Sequence, residues 1–242
     1  MSCMQAGQSF ERPHAEGQGQ PHKINNGHDM QQADKQKRIE RKLNRPNKFE
    51  LRRNQLAQST LATMGKNGYA KTSMRDIASD AGVSLGTLHY YFVDKAELVT
   101  YCVQSFKRNF IQRVIERCQA SSNIEELLTA FCEECATSML DEFSVHRVWF
   151  DIRAQAMFDP VYVPLREEIE SELEAMFQIF IESAEHFSGA PISMATKTVG
   201  CIVESLFENQ LFNYIQHGDG ERAKRDLETD FRAYCQQLLQ TT

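Results

Sequence analysis

An all-α fold is predicted by three observations. Apolar residues recur at helical spacing from Lys48 onward. No stretch shows the β-branched alternation of a strand. Twelve glycines and six prolines in 242 residues are too few for a sandwich or barrel with many turns.

The elements follow in order. Phe49, Leu56, Ala57, Thr60, Leu61 and Met64 share a helical face from Lys48, and Gly65-Lys66-Asn67-Gly68 closes that helix. Ser73 caps a short helix from Met74 to Asp80, with Asp76 at capping-box spacing. Gly82 supplies the turn, Ser84 caps a helix from Leu85 to Phe92, and Asp94 caps a long one from Lys95 to about Cys118. Beyond residue 120 helices are expected over Ile124–Leu140, Val145–Phe158, Pro164–Ser188, Ile192–Gln216 and Glu221–Gln240.

Charge divides the chain. The formal net charge of -6 taken whole argues against nucleic acid. Residues 1–96, however, hold 15 Lys and Arg against 9 Asp and Glu, a net of +6, and residues 97–242 hold 12 against 24, a net of -12. The basic half is therefore a nucleic-acid candidate. Three parts are expected: a disordered basic extension over 1–47, a helical nucleic-acid-binding candidate over 48–97, and a helical domain over 98–242. Within the extension, Lys35, Lys37, Arg38, Arg41, Lys42 and Arg45 form either a solvated leader or an arm for phosphates. No apolar run suits a membrane, no export signal is expected, and the seven cysteines read as reduced thiols of the cytoplasm. Cys132-x-x-Cys135 has redox or zinc spacing, but no second pair accompanies it, so no metal site and no cofactor are expected.

The run from Gly68 to Lys95 carries the chemistry. It reads as two short helices joined by a glycine turn, with Ile77, Ala78, Val83, Leu88 and Phe92 as a small core. The second helix then offers Ser84, Gly86, Thr87, His89, Tyr90 and Tyr91 outward. A helix about 10–12 Å wide enters a major groove of about 12 Å only if its docking face is lean, which Gly86 and Thr87 provide.

Gly68-Tyr69, Thr72-Ser73, Arg75-Asp76-Ile77-Ala78, Ala81-Gly82-Val83-Ser84, Gly86-Thr87-Leu88, Tyr91-Phe92 and Asp94-Lys95-x-x-Leu98 stand in one register. Together they resemble the DNA-binding domain of the TetR family of bacterial transcriptional regulators, over about residues 48–98. The resemblance implies roles for particular residues. Thr72 and Ser73 take phosphate and capping positions, and Arg75 a base or phosphate contact. Ser84, Gly86 and Thr87 open the groove-facing helix, Tyr90 and Tyr91 reach base edges or backbone, and Lys95 clamps a phosphate. Tyr91 packing inward is the alternative. His89 stands where the family usually has Tyr, so its backbone contact depends on protonation.

In such regulators the C-terminal helices dimerise and bind a small molecule. The helix over 192–216 is apolar on more than one face, and Leu227, Phe231, Tyr234 and Leu238 stripe the helix over 221–240. These two helices read as a homodimer's four-helix bundle, with core packing as the alternative. His146, Trp149, Phe150, Arg153, Met157 and Phe177 read as either pocket wall or ordinary core. The stretch from Trp149 to Pro160 faintly resembles regulators that sense choline or betaine aldehyde. The expected protein is a ligand-released repressor, not an enzyme. It would bind double-stranded operator DNA as a dimer. A regulator without a small-molecule effector, steered by a protein partner or acting as an activator, is the second reading.

Overall fold

The structure, a computed structural model, describes residues 47–240. The expected basic arm and tail lie outside the described residues. The described residues form one compact unit of nine α-helices and one short 3-10 turn, without a strand.

The helices are α1 (Lys48–Asn67), α2 (Met74–Asp80), α3 (Leu85–Tyr91), α4 (Lys95–Gln119), α5 (Ile124–Asp141), α6 (Phe143–Gln155), α7 (Val163–Ser188), α8 (Thr196–His217) and α9 (Gly220–Gln240). The 3-10 turn Pro160–Tyr162 leads into α7. Capping follows the sequence closely. Ser73, Ser84, Asp94 and Asn123 each accept a backbone N–H of the first turn they precede. Gly68, Gly189 and Gly218 close α1, α7 and α8 with φ of 83°, 71° and 70°.

Two boundaries differ from expectation by three or more residues. The helix expected from Val145 to Phe158 is shorter at its end: α6 stops at Gln155, and Asp159 caps the 3-10 turn instead. The helix expected from Ile192 begins at Thr196. The amide of Ile192 donates to Glu185 Oε1 at 2.7 Å, which satisfies it outside any helix.

The long α4 lies centrally, packing on α1, α5, α6 and α7. The buried apolar core is continuous from Leu56 in α1 to Leu238 in α9. The stripe expected to pair with a second copy is corrected here. Leu227, Phe231 and Leu238 are buried inside the single chain, where α9 packs on α5 and α8. Phe231 meets Phe131 at 5.7 Å between ring centroids, and Phe131 meets Phe180 of α7 at 4.7 Å. Burying each such side chain stabilises the fold by roughly 1.5–3 kcal/mol. The part-buried Tyr234 donates its hydroxyl to Met194 Sδ. On α8, by contrast, Phe212 and Ile215 remain exposed.

Candidate nucleic-acid interface and internal cavity

The turn between α2 and α3 is fixed by local bonds. The Ser73 hydroxyl oxygen accepts the Asp76 amide, while Asp76 Oδ2 accepts the Ser73 amide at 2.8 Å, completing a capping box. Gly82 takes φ +64°, and the Val83 amide then reaches back to the Ala78 carbonyl at 2.9 Å. Ile77, Ala78, Leu88 and Phe92 are buried as the small core expected of them, and Val83 packs at its margin. The Ser84 hydroxyl oxygen accepts the Thr87 amide at 3.0 Å and opens α3.

This scaffold turns one face of α3 outward. Ser84, Gly86, Thr87, His89 and Tyr90 are exposed, and so are Ser73 and Arg75 at the start of α2. Tyr90 is 72% exposed, its ring edge-on to Tyr91 and Phe49. Tyr91 is half-buried against Phe49 at 4.9 Å, so it both packs and borders the face. His89 Nδ1 lies 3.1 Å from the Val93 carbonyl. A carbonyl only accepts, so Nδ1 carries the proton, and Nε2 donates to a phosphate only in the imidazolium.

Two residues stand differently from the rest. Thr72 is 2% exposed, and its hydroxyl donates to the Gly68 carbonyl at 2.8 Å. It therefore holds the turn and is not on the open face. Lys95 is half-buried: its ammonium donates to the Tyr69 carbonyl at 2.5 Å and lies 3.6 Å from the centre of the Tyr69 ring. Burial pulls its pKa below the ordinary value, against the opposing charges of Asp151 and Asp76. Lys95 thus anchors α4 to the loop before α2.

Tyr69, part of the motif but given no role of its own by sequence reasoning, is a junction. Its amide donates to Asp151 Oδ2 at 2.7 Å, and its hydroxyl accepts from Tyr162 at 2.6 Å. Arg147 donates to the Gly65 carbonyl at 2.8 Å. Ser144, Arg147 and Asp151 lie three and four residues apart on one stripe of α6, facing α1 and its loop. A β-carbon added at Gly65 would lie 2.5 Å from Ser144 Cβ and 2.9 Å from its Cα. The two helices touch there only because residue 65 has no side chain.

The opposite stripe of α6 lines a cavity. His146, Trp149 and Phe150 meet Lys107 of α4, Phe177 of α7 and Glu204 of α8 around a space of about 30 Å³. That is room for a water molecule or two. Of the expected ligand residues, His146, Trp149, Phe150 and Phe177 are brought together. Arg153 stands beside them, paired with Glu204 at 3.1 Å and Glu170 at 3.5 Å. Met157 is a correction: it is 70% exposed beyond the end of α6 and does not line the cavity.

The polar groups of this cavity are unusual. Lys107 is 4% exposed and forms no ion pair among the described residues. Burial drives its pKa down to about 8, with Glu204 opposing. His146 is held well below the ordinary imidazole range by burial, then by Lys107 and Arg113. Its Nε2 meets Ser138 Oγ at 2.8 Å, and Ser138 gives its one proton to Glu142 at 2.6 Å. His146 Nε2 therefore carries the hydrogen, and Nδ1 is a bare acceptor with no partner. Lys107, Glu204 and Ser138 escaped sequence reasoning because each sits alone in its own helix, with no spacing that links them. Cys132 and Cys135, also buried, carry no reactive thiolate. Burial pushes Cys132 up to about 12 and Cys135 well above its ordinary value.

No helix of the described residues is long and apolar enough to cross a membrane. Residues 57–102 match the family described as bacterial regulatory proteins, tetR family. The HTH-type transcriptional regulator BetI of Agrobacterium fabrum is 28% identical over 204 residues, 74% of this chain and 96% of that one. Among solved structures, a Saccharomonospora viridis transcriptional regulator in complex with choline superposes with a TM-score of 0.62 at 14% identity, over 74% of this chain and 95% of that one. Bacillus subtilis FadR in complex with stearoyl-CoA does so with a TM-score of 0.61 at 14% identity, over 73% and 96%. The matched residues run from the middle of α1 through α2 and α3 into the first turns of α4. The chain is thus similar to helix-turn-helix transcription regulators, and its match to the tetR family lies in residues 57–102.

Proposed function

We propose that the chain is a cytoplasmic homodimeric repressor whose grip on a palindromic operator is loosened by a small molecule in the α6 cavity. Residues 48–97 serve as the reading head and residues 98–242 as the sensing and pairing body. Ser73, Arg75, Ser84, Gly86, Thr87, His89, Tyr90 and Tyr91 form the DNA face, with Lys95 as its anchor. Thr72 acts behind that face through the turn it holds. Two copies of α3 enter successive major grooves, about 34 Å apart.

The observation that carries this reading is the double use of α6. One stripe of a single 13-residue helix lines the cavity, and the other bonds to Gly65 and Tyr69 of the head. A ligand that rotates or shifts α6 therefore changes the head's setting. It acts through its differential affinity for the two settings. The tested variant is Gly65→Ala. Its β-carbon forces α1 away from Ser144, at a cost of about 1–3 kcal/mol. Operator affinity is expected to fall while cavity binding, measured by calorimetry, persists. Unchanged operator affinity with unchanged ligand release would remove α6 as the link.

For pairing, α8 supplies an apolar surface left open by the fold, at Phe212 (57% exposed) and Ile215. Phe212→Glu is expected to give a monomer in sedimentation with an unchanged circular dichroism spectrum. A dimer of undiminished stability would place the interface elsewhere.

A further inference from the structure

We infer that the cavity beside α6 selects a small apolar carboxylate, recognised by Lys107, and rejects quaternary ammonium compounds. The inference rests on the ligand-responsive reading above and names the chemistry of its ligand.

The first support is the buried cation itself. A lysine ammonium deep in an apolar wall is costly unless something answers its charge. The nearest carboxylate in the wall is Glu204, and that group is already paired with Arg153 at 3.1 Å. The groups facing Lys107 are Glu204 from α8, Cys135 from α5, Glu142 at the end of α5, and Arg153 and His146 from α6. The lining that α7 presents is apolar, through Leu173, Met176 and Phe177. Arg153 is shared by Glu204 and Glu170, and Lys107 has no ion-pair partner of its own among the described residues. A ligand carboxylate supplies one.

The second support is the state of the aromatic faces. Choline-type ligands are held by electron-rich rings. Here Lys107 Nζ lies 5.1 Å from the Phe110 ring and 5.7 Å from the Trp149 ring. Arg153 stands 5.8 Å from both Trp149 and Phe150. Those three rings already face cations of the protein, unlike Phe131, Phe177 and Phe207 of the same wall, so a second cation beside Lys107 and Arg153 meets repulsion.

The third support is the empty acceptor, His146 Nδ1. That nitrogen is buried and unpartnered, on a ring that lines the same cavity. An apolar void has no need of such a group, and its presence marks the wall as one built around a polar guest.

Access is also provided. A cleft of about 340 Å³ between α7 and α8 shares Leu173, Phe177 and Glu204 with the cavity. Phe177 rests directly on Gly200, where an added β-carbon would lie 2.7 Å from the ring. Swinging Phe177 aside joins cleft and cavity into a space suited to a single ring or a short acyl chain.

The test is calorimetric titration of the full chain with benzoate, its neutral isostere benzamide, and choline, at pH 7. Benzoate is expected to bind at least about tenfold more tightly than benzamide, because a charge-assisted hydrogen bond is lost in the amide. Choline is expected not to bind. In Lys107→Met, and in Lys107→Gln as a second neutral variant, benzoate should lose that advantage while the thermal transition stays cooperative. Equal binding of benzoate and benzamide, tighter binding of choline, no binding of any of the three, or an undiminished benzoate preference in both variants would each overturn the inference. Operator release in the same samples separates it from the reading it rests on. If choline binds and releases DNA, effector control survives and the carboxylate inference fails. If benzoate binds through Lys107 and DNA is not released, the carboxylate inference stands and effector control by this cavity fails.

Discussion

Gly86→Leu is expected to abolish operator binding while leaving the protein folded. Gly86 sits one residue inside α3, on its exposed face. A β-carbon there would meet nothing closer than Ser84 Oγ at 3.8 Å, so the side chain projects into open space. Leucine is also the better helix former, by roughly 0.6–0.8 kcal/mol. Stability should therefore hold or rise slightly. The docking face, however, gains an isobutyl group where the helix has to lie close to the base edges. Loss of close approach removes base contacts together with the phosphate contacts that depend on the same seating. At about 1–3 kcal/mol for each good base contact, the expected loss exceeds 100-fold per dimer. Fluorescence anisotropy on labelled operator, with a melting curve of the same sample, checks both halves. Operator binding within a few-fold of the parent would take Gly86 off the groove-facing surface.

Lys107→Met is expected to stabilise the protein, which is the opposite of most core changes. In the folded chain burial holds Lys107 at about 8, against the usual 10.5. Between those values the unfolded chain binds more protons than the folded one, so stability rises with pH across that window. Below pH 8 the penalty is present in full, on the order of 3 kcal/mol, and it is relieved as pH approaches 10.5. Methionine keeps the length of the side chain and carries no charge. Glu204 retains Arg153 as its partner. At pH 7 the variant is expected to melt about 5–10 °C higher, at roughly 2–4 °C per kcal/mol for a domain of this size. It should also lose the rise in stability between pH 8 and 10.5. A lower melting temperature, or an unchanged pH profile, would mean that Lys107 is compensated in the folded chain. If the variant melts higher, the lysine is a group retained at the expense of stability, as expected where a ligand completes the site.

Much of the head was legible in the sequence because its bonds are local. Ser73 with Asp76, Ser84 with Thr87, and Gly82 at its turn each act within four residues. The spacing therefore contains the geometry. The body was legible as helices but not as partners. The stripe Leu227–Phe231–Leu238 gives one apolar face, and periodicity cannot say whether a neighbouring helix or a second copy covers it. The fold assigns it to α5 and α8. The Trp149 to Pro160 stretch was misleading at its end for a related reason. Met157 follows the last turn of α6, so the helical register that aims Trp149 inward no longer applies. Lys107 was illegible outright. One lysine in a long helix reads as solvated, and only its burial against Phe110 and Trp149 shows otherwise.

The central claim is that the α2–α3 face of a paired molecule reads DNA in two successive grooves. Selection of bound duplexes from a random pool by the full chain, with Gly86→Leu and Phe212→Glu carried in parallel, tests it most directly. The predicted result is enrichment of an inverted repeat by the parent, with half-sites about one helical turn apart or a multiple of it. Gly86→Leu should enrich nothing, and Phe212→Glu a single half-site at most. Enrichment of one asymmetric site by the parent, or the same inverted repeat recovered with Gly86→Leu, would contradict it.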